Sequence, residues 1–252
     1  YFGDSGNRYN FCRTHIQSCD FSLGNRAYVE DPNDINLTSF SIEQDKKYMI
    51  PFIMEALKKN RDLQLLASPW SPPAFMKTNG EMNHGGKLKK EYYAAWAKMI
   101  ALYILEYQKL GINIGRITVQ NEPKAVQKWE SCVFTAEEEK DFACNYLADA
   151  LSSSGLKNVK INIWDHNKER VFDRAVSVIS DEKAESCISG IAFHWYSGDH
   201  FEALQAVRER FPEKELIFSE GCMGFSKDRK ATQTRNAEAY AHDIIGNLNA
   251  GM

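Results

Sequence analysis

Short runs of apolar and β-branched residues recur along the chain, separated by longer stretches whose apolar positions repeat every three or four residues. The short runs read as strands and the long stretches as amphipathic helices. Six strands are predicted: YNFCRT (9–14), LQLLAS (63–68), RITVQ (116–120), VKINIW (159–164), GIAFHW (190–195) and ELIFS (215–219). Strands alternating with helices are the pattern of parallel strands joined by crossovers, so the fold class is α/β. From Glu91 to Leu110 the positions Tyr92, Ala95, Trp96, Met99, Ile100, Tyr103, Ile104 and Tyr107 give one helical stripe, which core packing explains better than a cofactor box. Ser41 with Gln44 and Thr135 with Glu138 both fit a capping box, Gly155 stops the second of these helices, and residues 231–252 read as a final helix.

No internal repeat, low-complexity tract or Pro/Ser linker divides the chain, and Gly80 to Gly86 is the one loose patch. A chain of 252 residues matches the roughly 250 that a single α/β barrel uses. In such a barrel the loops after the strand C-termini build the site, so the strand ends carry the functional information. In order they present Arg13 to Asp20, Ser68 to Trp70, Asn121 with Glu122, Asp165 with His166, His194 to Tyr196, and Glu220.

Charge and composition narrow the chemistry. With 31 Lys and Arg against 34 Asp and Glu, the net charge of −3 provides no field to gather phosphates, and no nucleic-acid partner is expected. Five Trp, eleven Tyr and fourteen Phe supply rings that serve packing and sugar stacking alike. Six cysteines (Cys12, Cys19, Cys132, Cys144, Cys187, Cys222) are scattered without a CxxC pair, and His15, His84, His166, His194, His200 and His242 show no ligand-type spacing. Neither a metal nor another cofactor is expected, and metal-dependent hydrolysis ranks last among the enzymatic readings. Scattered cysteines in apolar segments suit a reducing compartment, with the cytoplasm the expected location. The start YFGDSGNRYN lacks a basic stretch followed by an apolar run, and no apolar run reaches membrane length. A signal on a longer precursor is compatible with that start.

Two carboxyls stand out. Glu122 follows RITVQ across Asn121 and Glu220 directly follows ELIFS, so a closed barrel would aim both at one central pocket. Retaining glycoside hydrolysis needs two carboxyls about 5–5.5 Å apart, one protonated for the leaving group and one ionised to attack the anomeric carbon. Taken alone, Asn121-Glu122-Pro123 equally fits a helix start with Asn as cap and Pro in the first turn. Glu220 before Gly221 alone fits ordinary turn chemistry.

Together the strand-end segments RTHIQSCDFS (13–22), LLASPWSPPAFMKTNG (65–80), VQNEP (119–123), HWY (194–196) and FSEGC (218–222) resemble glycoside hydrolase family 30, and specifically its glucosylceramidase-like branch, over nearly the whole chain. The resemblance implies a TIM barrel and a retaining β-glycosidase acting on a terminal β-glucoside or a related β-linked sugar, in carbohydrate or sphingolipid metabolism. It makes Glu122 the acid/base and Glu220 the nucleophile, with Asn121 holding the sugar 2-hydroxyl. Asp20 and Trp70 resemble the subsite residues for the non-reducing sugar. His194, Trp195 and Tyr196 fall where the family places an aromatic wall and a hydrogen-bonding Tyr, while Arg13 and Asp165 point from strand ends toward the same pocket. Glu122 is expected to titrate above Glu220 because the ionised nucleophile lies beside it.

The family barrel has eight strands and an accompanying β-sandwich, and this chain matches strands two to seven only. Strands one and eight and the sandwich are absent on that reading, which makes residues 1–252 one partial catalytic barrel with unpaired edges open to self-association. A fragment of a longer enzyme is the preferred explanation, and the isolated piece is expected to have little activity. The rivals are a β-1,6-glucanase or β-xylosidase of the same family, and a noncatalytic carbohydrate-binding barrel. Nothing in the chain reads as a lipid-docking helix.

Overall fold

The computed structural model describes residues 1–223 and 233–252. Six parallel strands form one sheet in purely sequential order: β1 (Phe11–Ile16), β2 (Gln64–Pro69), β3 (Ile114–Thr118), β4 (Lys160–Asn167), β5 (Gly190–His194) and β6 (Glu215–Glu220). Each predicted strand is present, with ends displaced by at most three residues. Sequential order without a reversal point distinguishes a barrel wall from a doubly wound sheet. Helix α1 (Met49–Lys59) connects β1 to β2, and α2 (Tyr93–Lys109) connects β2 to β3. Then α3 (Ala136–Phe142) and α4 (Ala148–Ser153) lead to β4, α5 (Val171–Val178) and α6 (Glu182–Cys187) to β5, and α7 (Phe201–Arg210) to β6. Helix α8 (Gln233–Asn249) follows, so the predicted final helix is present, with residues 231 and 232 outside the described residues.

The sheet is strongly curled. With strands about 4.8 Å apart, a flat sheet would hold β3 and β6 roughly 14 Å apart and β1 and β6 roughly 24 Å apart. Instead Arg116 on β3 reaches Glu215 on β6 at 3.2 Å, and Arg13 on β1 reaches Glu220 on β6 at 2.6 Å. This is a partial TIM barrel. Its inner face is polar, with Ser68, Thr118 and Ser219 joined through hydrogen bonds, while the alternating Ala67, Ile117, Ile163 and Phe193 belong to the core packed under the helices. The edges β1 and β6 pair with no further strand among the described residues.

Helix α2 buries its predicted stripe, and Trp96, Met99, Ile100, Tyr103, Ile104 and Tyr107 have no solvent exposure. The Thr135–Glu138 capping box forms at 3.1 and 2.8 Å, and Gly155 follows α4 at φ 75°. Between α3 and α4 the helix widens into a π turn over Ala143–Leu147 that the sequence did not announce. The Ser41–Gln44 box does not form. Ser41 Oγ accepts from Glu43 N in a local turn, and α1 begins only at Met49, two residues before Pro51, whose missing N–H suits a first turn. Nor is the Gly80–Gly86 stretch loose. Lys77 Nζ, fully buried beneath it, donates to Met82 O at 2.9 Å and Ser131 O at 2.5 Å, while His84 N donates to Gln127 O at 2.7 Å. These bonds staple the β2–α2 loop to the β3–α3 loop. No helix among the described residues is long and apolar enough to cross a membrane.

Candidate active site

The hub is Asp165, which is completely buried. One carboxylate oxygen accepts from Arg13 Nη2 at 2.6 Å and Thr118 Oγ1 at 2.7 Å; the other accepts from His194 Nε2 at 2.9 Å and Ser219 Oγ at 2.6 Å. Strand alternation alone would not aim it inward. Trp164 and Asp165 adopt φ 73° and 49°, and the β4–β5 register slips between Trp164 and His166, a bulge that turns Asp165 toward the barrel axis. Burial opposes its charge, but Arg13 and then His194 and Ser219 outweigh that and hold its pKa far below the ordinary carboxylate range.

Arg13 distributes the hub's geometry outward. Its Nη1 donates to Glu220 Oε2 at 2.6 Å, its Nη2 also to Asn121 Oδ1 at 2.9 Å, its Nε to Ser68 Oγ at 3.0 Å, and its guanidinium lies 4.6 Å from the Trp70 ring centroid. With Oδ1 of Asn121 committed, the amide leaves its N–H donors for the cavity. Tyr196 Oη donates to the other oxygen of Glu220 at 3.0 Å. Glu122 sits just beyond β3 in the left-handed region at φ 45°, where a non-glycine residue carries strain of about 1–3 kcal/mol. Its backbone N–H is anchored to Asp165 O at 2.9 Å and Asn121 N–H to Pro69 O at 2.8 Å. Asn121-Glu122-Pro123 is therefore a strained turn and not a helix cap.

Glu122 and Glu220 flank one imidazole: His194 Nδ1 is 3.4 Å from Glu122 Oε1, and His194 Nε2 is 3.9 Å from Glu220 Oε2. Both carboxyls line one cavity of about 320 Å³ together with Asp20, Trp70, Asn121, Gln127, Trp129, His166, Asn167 and Tyr196. That volume falls in the roughly 300–1,000 Å³ range of small-molecule sites. Burial, then the charges of Glu220 and Glu122, raise the Asp20 pKa. The expected rise in the Glu122 pKa is corrected: burial pushes it up, but the neighbouring His194 and His166, with Gln127, outweigh this and lower it. His194 moves reciprocally. Burial disfavours its charged form, yet bonding to Asp165 and Glu122 raises its pKa.

The predicted residues divide into layers. Asp20, Trp70, Asn121, Glu122, Tyr196 and Glu220 line the cavity. Arg13, Asp165 and His194 lie beneath them and hold the cavity-lining side chains in place. Trp195 points away: it stacks on Tyr240 with centroids 4.7 Å apart and packs on Phe218, because alternation past β5 sends it to the side opposite His194 and Tyr196. Gln127 and Trp129 lie in a long non-periodic loop, whose length was the signal for them. His166 and Asn167 sit on a strand end already noted. Two of the six histidines, dispersed in sequence, meet in space: Glu122, His166 and His194 offer ligand atoms within 4.8 Å of one another.

The model of the glycosyl hydrolase family 30 TIM-barrel domain matches residues 1–252. The chain belongs to glycosyl hydrolase family 30. It is 34% identical over 264 residues to the lysosomal acid glucosylceramidase of Mus musculus, covering 98% of this chain and 51% of that protein. It is 29% identical over 235 residues to the endo-1,6-β-D-glucanase BGN16.3 of Trichoderma harzianum, covering 86% of this chain and 46% of that protein. The crystal structure of SrfJ from Salmonella typhimurium superposes with a TM-score of 0.97 at 47% identity, covering 100% of this chain and 56% of that one. The chain thus spans about half the length of these family 30 relatives.

Proposed function

We propose that this family 30 chain carries the catalytic site of a retaining β-glycoside hydrolase, with Glu220 as nucleophile and Glu122 as general acid/base. One observation supports it above all: carboxyls from β6 and the end of β3 enter a single cavity on either side of the His194 ring. Arg13 and Tyr196 each donate to one oxygen of Glu220, which fixes the aim of the carboxylate that attack requires. Glu122 lines the cavity beside His194 and His166, placed to give a proton to the leaving oxygen and later to take one from water. In the first step a Glu220 oxygen bonds to the anomeric carbon as the bond to the leaving oxygen breaks and that oxygen takes the proton. In the second, water gives a proton to Glu122, its oxygen attacks the anomeric carbon, and Glu220 is released. The Asn121 amide donates to the 2-hydroxyl, a contact that tightens as positive charge grows on the ring.

A terminal β-glucoside is the favoured substrate, as the name of the mouse relative suggests; an internal β-1,6-glucan is the second reading, favoured by the Trichoderma relative and by a cavity that extends past Glu122 to Gln127 and Trp129. On this reading residues 1–252 act as one partial-barrel domain, whose open β1 and β6 edges are covered by further chain or by a second copy. Incubation with a 2-deoxy-2-fluoro glucoside should attach the sugar to the peptide containing Glu220. A label on another residue, or none in a longer form of the protein that hydrolyses aryl glucosides, refutes the assignment. Comparing an aryl β-glucoside with a β-1,6-linked oligosaccharide separates the two substrates.

A further inference from the structure

Glu122, His166 and His194 come from the ends of three successive strands and each offers a ligand atom within 4.8 Å of the other two. Glu122 Oε1 lies 3.4 Å from His194 Nδ1 and 3.7 Å from His166 Nδ1. Ligands at about 2.0–2.2 Å around a tetrahedral zinc ion are themselves separated by roughly 3.3–3.6 Å, so the two distances from Glu122 already stand close to that spacing. Separately, both Nδ1 atoms are buried without a hydrogen-bond partner among the described residues, an arrangement folded proteins avoid unless the atom serves a ligand or a proton. Nor is the His194 ring free to turn. Its Nε2 donates to the buried carboxylate of Asp165 at 2.9 Å, which holds the ring with Nδ1 toward Glu122. A carboxylate behind an imidazole is the usual support of a zinc-ligating histidine.

We propose that Glu122, His166 and His194 form a zinc site at the floor of the cavity, with its fourth coordination position facing the cavity space. Two imidazoles and one carboxylate favour Zn²⁺ over Mg²⁺ or Ca²⁺, which take oxygen ligands. The ion would occupy the Glu122 oxygen that otherwise carries the proton, so its binding blocks the general acid. This blocking role rests on the glycosidase reading; the binding itself does not.

Calorimetric titration of the 252-residue chain with ZnCl₂ tests the site. One saturable site is expected in the native sequence, weakened at least ten-fold by His166→Ala and by Glu122→Gln, and unchanged by His84→Ala, which removes an exposed histidine paired with Glu81. Zinc should also raise the thermal midpoint of the native chain and not that of His166→Ala, a readout on whatever fraction folds. Absence of saturable binding, or equal affinity in the native chain and both site variants, overturns the proposal, as does equal binding of Mg²⁺. In a longer form that hydrolyses glycosides, zinc should abolish turnover and a chelator restore it. Saturated binding with unimpaired turnover overturns the blocking role while leaving the glycosidase assignment intact.

Discussion

Replacing Asp165 by Asn isolates the electrostatic part of the hub, because the amide keeps the carboxylate's shape. The buried carboxylate accepts four hydrogen bonds, two on each oxygen. The amide can accept only on its oxygen side, so its NH₂ faces either Arg13 and Thr118 or His194 and Ser219 and leaves two donors opposed. Breaking a buried charge pair in this way costs about 3–5 kcal/mol, and at about 2–4 °C per kcal/mol for a chain near this size the midpoint should fall roughly 6–20 °C. The pH dependence follows from sign. The native pKa of Asp165 is depressed by Arg13 despite burial, so its stabilisation is complete above the unfolded value near ~3.9 and is lost as pH falls toward the native value. The gap between native chain and Asp165→Asn should therefore shrink by about 1.4 kcal/mol per pH unit below ~3.9, while near neutral pH it also follows His194, whose pKa Asp165 raises. Thermal unfolding followed by circular dichroism across this range measures both. A loss under about 1 kcal/mol, or a gap that widens in acid, refutes the hub.

Three further outcomes are expected. Tyr196→Phe removes the hydroxyl that donates to Glu220 Oε1; a hydrogen bond to a charged group is worth about 1.5–3 kcal/mol, so kcat on aryl glycosides in an active longer form should drop roughly 10- to 100-fold, and unchanged kcat would separate Tyr196 from the nucleophile. Thr135→Ala removes one half of the α3 capping box and should lower stability by about 1 kcal/mol in denaturant titration, without altering the cavity. Gly190→Ala would place a Cβ 2.5 Å from Glu215 O and 2.6 Å from Asn162 Nδ2; a β5 backbone forced apart from β6 should cost about 1–3 kcal/mol, and a neutral effect would contradict the close pairing.

All six strands were legible because strands buried against helices must be apolar over most of their length, as LQLLAS and GIAFHW are. The pair Glu122 and Glu220 was legible because each stands at a strand end, where parallel order brings distant segments together. What remained hidden depends on departures from ideal periodicity. The β4 bulge redirects Asp165 by breaking the two-residue alternation, and nothing in VKINIWDH marks the slip. The π turn after Phe142 likewise follows packing rather than composition. Trp195 was misplaced because an aromatic at a strand end looks the same whether it faces the cavity or Tyr240. The protonation of Glu122 was misjudged for a different reason: neighbours across the sheet, His166 and His194, set its charge more strongly than the partner glutamate.

The bond from Arg13 to Glu220 joins the first described strand to the last. One guanidinium thus reports on two things at once, the bend of the sheet and the aim of a carboxylate. A perturbation that merely flattens the sheet, such as a low denaturant dose or a partner wedged along an edge, should pull those strands apart while every helix stays intact. Disorganised chemistry would then precede loss of helical signal, and the chain would be disarmed well before it is unfolded.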